Sequence, residues 1–207
     1  MHLVLASTSP RRRQILALLG VRFEVVPPKF VEQVSTHVSL DEEVVEFAFG
    51  KAQSVATKYP QSVVIGSDTM IELAGEKIGK PADRDDARQI LRSLSGKVHK
   101  IFTGVAIVDP GGPGLKEIET VVVEMRGYTE EEIENYLDSG ESDDKAGAYS
   151  IQGQGSDLIK SIRGDYLAAV GMPLRRIARY IQSRGLSVAD VEKVYAEKRF
   201  INWQRFS

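Results

Sequence analysis

Cysteine is missing from all 207 residues. That removes disulfides, thiol nucleophiles and thiolate metal sites together. Histidine is almost as scarce: His2, His37 and His99 are widely separated and show no metal-ligand spacing, so a zinc site is not expected. No apolar run approaches the length that spans a bilayer. The stretch "LVLA" near the start is too short for the hydrophobic part of a secretory leader and runs directly into Pro10 and the arginines. A strong excess of either charge is lacking too. With 27 Lys and Arg against 29 Asp and Glu, the net charge of -2 gives no general attraction to nucleic acid, and any basic site has to be local. These absences lead to the expectation of a soluble cytoplasmic protein with neither a membrane nor a nucleic-acid partner.

What is present is an ordinary globular composition, 42% hydrophobic and 27% charged, enough for one sizeable core. Short apolar runs in "HLVLAS", "RFEVVPP" and "SVVIGSD" read as strands. "PRRRQILALLG", "DEEVVEFAFGKAQSVATKY", "DRDDARQILRSLSG", "TEEEIENYLDSG" and "MPLRRIARYIQSRG" read as helices, with Ser9, Asp83 and Thr129 as N-caps. In the second of these, Val44, Phe47, Ala48 and Val55 fall at helical spacing. "TMIELAGEKIGKP" has the pattern of a hairpin. "VHKIFTGVAIVD" and "LKEIETVVVEMRG" form an antiparallel pair joined by "PGGPG". Strands alternating with helices, plus that pair, predict a mixed α/β sheet with flanking helices. Residues 1–185 are expected as one domain and 186–207 as a helical tail.

The most informative stretch is "LASTSPRRRQILALLG". It places Arg11, Arg12 and Arg13 in the first turn of a helix, where the macrodipole disfavours cations by roughly 0.3–1 kcal/mol each. Three consecutive positions fan around the axis at about 100° apart, so they cannot all serve one ligand. Either the charges are simply solvated, or they meet an anion bound at the helix start, which would reverse the unfavourable field. Asp68 follows a buried strand and is expected at that strand's carboxyl end. There it reads as a general base, a divalent-cation ligand or a plain turn aspartate. Lys80 sits between Gly79 and Pro81, and "QGQG" offers Gly153 and Gly155 for close backbone approach. Neither segment has P-loop spacing.

At these residues the sequence resembles the Maf family of nucleoside triphosphate pyrophosphatases, from Leu3 to about Ile181. The resemblance is carried by "LVLASTSPRRRQIL", "GSDT", "IGKP", "SGKVHKIFTGVAI", "DKAGAYSIQGQGS" and "VGMPL", in the family's order. It implies an elongated α/β sheet with two lobes around a cleft, of the Maf/ITPase-like kind. The implied activity is hydrolysis of a nucleoside triphosphate to monophosphate and pyrophosphate with Mg²⁺ or Mn²⁺. By position, Asp68 matches the general base, Glu32 the acid that helps hold metal with Asp68, and Lys51 and Lys80 the phosphate-binding lysines. Ser7 and Arg12 match the phosphate-binding helix start, with Arg13 beside them. Arg11, Thr69 and Gln152 match positions that divide the family, in the combination of the dTTP- and UTP-hydrolysing branch. Gln152 can both donate and accept, as the O4/N3–H edge of thymine or uracil requires. The chain departs from the family at Val31, where Asp is usual, at Phe49–Gly50, where Arg-Ala is common, and at Ser150, where Gly is usual.

Two rival readings stand beside this one. The substrate is 7-methyl-GTP or another modified nucleotide, against which Gln152 argues. Or the protein is a nucleotide-binding division regulator with little catalysis. The tail, with Trp203 and Phe206, offers a surface for such a partner or for a homodimer, although an apolar-faced helix more often docks on its own domain.

Overall fold

The computed structural model describes residues 2–33, 38–143 and 145–206; His37 lies outside them. The strands are β1 (His2–Ala6), β2 (Glu24–Val26), β3 (Ser62–Leu73), β4 (Glu76–Ile78), β5 (Val98–Asp109), β6 (Gly112–Met125) and β7 (Ile159–Arg163). They form one mixed sheet of order β2-β1-β3-β5-β6-β7, with β4 paired to β3. The helices are α1 (Pro10–Ala17), α2 (Leu40–Ala56), α3 (Arg84–Leu94), α4 (Glu130–Leu137), α5 (Tyr166–Val170), α6 (Leu174–Ser183) and α7 (Val191–Glu197). The expected mixed α/β class is what the chain adopts. None of the helices among the described residues is long and apolar enough to cross a membrane.

The chain divides into two compact units. The first holds the residues up to Thr69, Thr103–Glu119 and Val170–Glu197; the second holds Met70–Phe102, Thr120–Ala169 and the residues from Lys198 on. In the first unit, β1 lies parallel to both β2 and β3, with Ala6 opposite Gly66. Its core gathers Val4, Ala6, Ala52, Val55, Val64 and Val108, each valine contributing on the order of 1.5–3 kcal/mol by leaving water. In the second unit, β4 folds back antiparallel on β3, with Ile71 opposite Ile78, and β7 runs antiparallel to β6. The β3–β4 turn uses Ala74 and Gly75, both at positive φ.

Local signals do much of this. Ser9 accepts from the Arg12 amide, Asp83 from the Asp86 amide, and Thr129 and Glu132 close a reciprocal capping box. Two expectations need correction. β3 does not stop at Asp68: it continues to Leu73, exchanging its parallel partner β1 for the antiparallel β4. Asp68 therefore sits inside a strand, just past the point where β1 leaves it. And β6 already begins at Gly112, so Pro110 and Gly111 make the turn and the rest of "PGGPG" is strand.

Candidate active site

Two glycines decide where α2 lies. A Cβ built on Gly66 of β3 would stand 2.2 Å from the Ala48 carbonyl oxygen and 2.8 Å from the Ala52 nitrogen. One built on Gly104 of β5 would stand 2.5 Å from the Val44 carbonyl oxygen. Only a residue without a side chain admits helix backbone so close to strand backbone. This contact brings Lys51, next to Ala52, to Asp68, two residues beyond Gly66. A third glycine works on the other side of the helix. A Cβ on Gly50 would meet the Phe30 ring at 2.2 Å, and that ring packs edge-on against Phe47 at 5.7 Å. The departure at Gly50 thus seats the segment that ends in Glu32.

The result is a compact ionic cluster. Lys51 Nζ lies 2.5 Å from Asp68 Oδ1 and 2.7 Å from Glu32 Oε1. The side chains of Lys51 and Asp68 are only 13% and 11% exposed, against 51% for Glu32. Two carboxylates meet one ammonium, so the cluster itself carries a net negative charge.

Beside it stands the start of α1. Ser7 is buried, and its Oγ accepts from the Ser9 amide at 3.1 Å. No acidic side chain occupies the first turn. Arg12 folds inward: Nε donates to the Gly171 carbonyl at 3.0 Å and Nη2 to Thr69 Oγ1 at 3.3 Å. Thr69 Oγ1 in turn lies 3.2 Å from Thr103 Oγ1. Ser67 Oγ donates to the carbonyls of Gly104, at 2.8 Å, and Gly171, at 3.0 Å. Burial pushes the Arg12 guanidinium pKa down, and the field of Asp68 opposes that shift; an arginine so placed stays charged. Arg11 is half-buried and Arg13 exposed, and neither has an ion-pair partner among the described residues. The fan of three arginines resolves as its geometry requires, with Arg12 alone bonded to the residues beside Asp68.

Ser7, Arg12, Lys51, Asp68 and Thr69, with Glu32, come together in the first unit. Lys80 and Gln152 belong to the second. Lys80 is exposed, and its neighbour Gly79 accepts a hydrogen bond from the Gly147 amide at 3.0 Å. Gln152 is half-buried in the loop before a 3-10 turn, Gln154–Leu158.

Among the described residues no group of three or more acidic, histidine or cysteine side chains is placed to hold a metal. Asp68 and Glu32 do converge on a single cation, the Lys51 ammonium. Two carboxylates are the share a protein supplies to Mg²⁺ when phosphates and water complete its shell. The donor set fits a divalent cation on those terms. Reading the sequence singled out none of Phe30, Gly66, Ser67, Thr103, Gly104 or Gly171. For Gly66 and Gly104 a signal existed: a glycine inside an apolar strand marks close backbone approach.

A family model described as Maf-like protein matches residues 2–184. A curated relative, the dTTP/UTP pyrophosphatase of Dictyoglomus thermophilum, is 44% identical over 189 residues, covering 90% of this chain and 98% of its own. The dTTP/UTP pyrophosphatase of a Geobacillus species is 43% identical over 184 residues, covering 89% and 98%. Among solved structures the likeness is looser: a HAM1 protein from Coxiella burnetii aligns with a TM-score of 0.46 at 16% identity, over 95% of this chain and 99% of that one.

Proposed function

The chain belongs to the Maf family, and from that premise we propose that it is a nucleoside triphosphate pyrophosphatase that hydrolyses dTTP and UTP to the monophosphate and pyrophosphate. Relatives that bear this name match it over nearly their whole length. The observation that carries the chemistry is the gathering of Asp68 and Glu32 on Lys51 beside the inward-turned Arg12.

Asp68 takes a proton from the attacking water. The water oxygen bonds to the α-phosphorus, the bond from that phosphorus to the bridging oxygen breaks, and pyrophosphate leaves with the electron pair. Lys51 engages Asp68 at Oδ1, which leaves Oδ2 for the proton, and it offers an ammonium to phosphate oxygens once substrate competes for it. Arg12 supplies a rigid guanidinium, held by Gly171 and Thr69, for charge that grows on the phosphates. Arg11, Arg13 and Ser7 complete the anion-attracting helix start. Asp68 and Glu32 would hold Mg²⁺ or Mn²⁺, which neutralises phosphate charge when bound. Lys80 is assigned to phosphate charge and Gln152 to the pyrimidine edge by their matching family motifs. In this reading the enzyme works on the free nucleotide pool of the cytoplasm. In a homodimer every member of the Asp68 cluster would still come from one chain.

The test is a turnover screen for pyrophosphate release with Mg²⁺ or Mn²⁺. Hydrolysis of dTTP and UTP well ahead of 7-methyl-GTP and the purine triphosphates is the expected result. Preference for 7-methyl-GTP would reassign the substrate, and intact nucleotide throughout would leave only a binding protein.

A further inference from the structure

The segment from Lys198 on lies beyond the residues matched by the family model, which end at 184. It is nevertheless tied to the loop that carries Gln152. Asn202 Nδ2 donates to the carbonyl oxygens of Ile151 and Gly153, 3.2 Å from each, and these are the two residues that flank Gln152. Arg205 Nη1 donates to Ser156 Oγ at 3.1 Å and pairs with Asp157 at 2.5 Å. The same loop is braced through its amides as well. Glu141 accepts from the N–H groups of Gln154 and Gly155, at 3.1 and 3.4 Å, and Tyr136 OH accepts from the Ser150 N–H at 3.0 Å. The backbone from 150 to 155 is held through both its carbonyls and its amides, whereas the Gln152 side-chain amide has no partner among the described residues.

The segment has its own anchor. Trp203 stacks on Tyr166 with ring centroids 5.4 Å apart and planes at 11°, and Tyr166 OH donates to the Ile201 carbonyl at 2.5 Å. Between these fixed points Asn202 takes φ +61, the left-handed region that asparagine tolerates better than most side chains. That turn aims its amide back at the loop.

We propose that the C-terminal segment, through Asn202 and secondarily Arg205, positions Gln152 and thereby sets the preference for pyrimidine over purine bases. The inference rests on the reading of Gln152 as the side chain that meets the base. A site that selects by hydrogen bonds keeps its selectivity only while donor and acceptor stay within a few tenths of an ångström of their working places. Anchors on the two carbonyls that bracket the reading residue control that placement directly, without touching the substrate.

The experiment compares full-length Asn202→Asp and Arg205→Ala with the parent, measuring kcat and KM for dTTP, UTP and GTP together with Tm. A carboxylate in place of the amide repels both carbonyls. Asn202→Asp should raise KM for dTTP and UTP about tenfold with kcat changed by less than about twofold, lowering the pyrimidine-to-GTP ratio of kcat/KM about tenfold. Arg205→Ala, which removes a half-exposed pair, should lower that ratio about threefold. Folded variants with the parent's ratio overturn the role of the segment and leave the pyrimidine reading standing. If Asn202→Asp does not fold, the Arg205→Ala ratio decides alone, and an unchanged value overturns the proposal. A parent enzyme that prefers purines overturns the reading of Gln152, and the proposal with it.

Discussion

The two units use charge differently: the second displays it on an exposed pair of helices, and the first encloses part of it around Lys51. Along α3 and α4, Arg84 pairs with Glu134 and Asp138, Arg88 with Asp85 and Glu134, and Arg92 with Glu130. Most of these side chains are 40% or more exposed, and only Arg88, at 22%, is well covered. The first unit pairs charges at its surface too, as at Arg175 with Glu192 and Arg176 with Glu117 and Glu119, but around Lys51 it has a cluster with two of its three members nearly enclosed. The exposed lattice costs little to form and contributes little, because water screens each pair. The enclosed cluster must overcome desolvation of its charges, a cost that ion pairing often fails to recover. Gly66, Gly104 and Gly50 nonetheless seat such a cluster, which is what the proposed function expects of groups kept for chemistry rather than for stability. The number of ion pairs hardly separates the two units, whereas the backbone work done to enclose a charge does.

The sharpest way to break that contrast is Asp68→Asn. If the cluster is catalytic, pyrophosphate release falls by about 10²–10⁴, while Tm moves little, since the amide keeps the shape. Unreduced turnover would make the cluster another ion pair. The next effect in size comes from the seat and not the charge. In Gly104→Ala the new methyl group meets the Val44 carbonyl, so α2 must shift. A loss of about 1–3 kcal/mol in stability should accompany a fall of about 10²-fold in kcat, read by denaturant melts and turnover together. Loss of stability with full activity would show that helix placement does not set the Lys51–Asp68 contact.

Sequence legibility follows the range of the interactions. Caps are local, and Ser9, Asp83 and the Thr129–Glu132 box could be read from a few neighbours. So could the buried face of α2, where Val44, Phe47, Ala48 and Val55 are all enclosed. The end of β3 could not be read, because "GSDT" looks like a polar stop, whereas the strand merely changes partner there. Spacing showed that three arginines could not share one ligand, but not that Arg12 would be the one turned inward. Its partners stand 159 and 57 positions away. The resemblance named Lys51, Asp68 and Glu32 as separate matches. That they meet at one nitrogen depends on how α2 docks, which no local pattern encodes.

The second unit also encloses a titratable group, and it allows the contrast to be tested without catalysis. His99 is 2% exposed, with Nε2 at 2.7 Å from Tyr149 OH and no partner for Nδ1 among the described residues. Burial lowers its pKa from the usual 6.5 to about 4. The unfolded chain therefore binds a proton more readily than the folded one between those values. Stability is full above pH 6.5 and falls as pH drops toward 4, by about 3 kcal/mol in all. In His99→Gln the fall of Tm across that window should flatten. An unchanged slope would place the acid sensitivity elsewhere.

The smallest effect tests the other half of the contrast. Hydrogen bonds from Arg88 and then Arg84 lower the Glu134 pKa to about 2. A depressed carboxylate supports the fold above its ordinary value near 4.5 and loses that support as pH falls toward 2. Glu134 stands in water, however, and screening takes most of that coupling away. Glu134→Gln should therefore shift Tm at neutral pH by about 2 °C at most in 0.15 M salt and leave dTTP turnover at the parent rate. A larger shift, abolished in 1 M salt, would mean that Arg84, Arg88 and their acids act as a cooperative network. The abundance of exposed charge would then matter more to this fold than its low cost suggests.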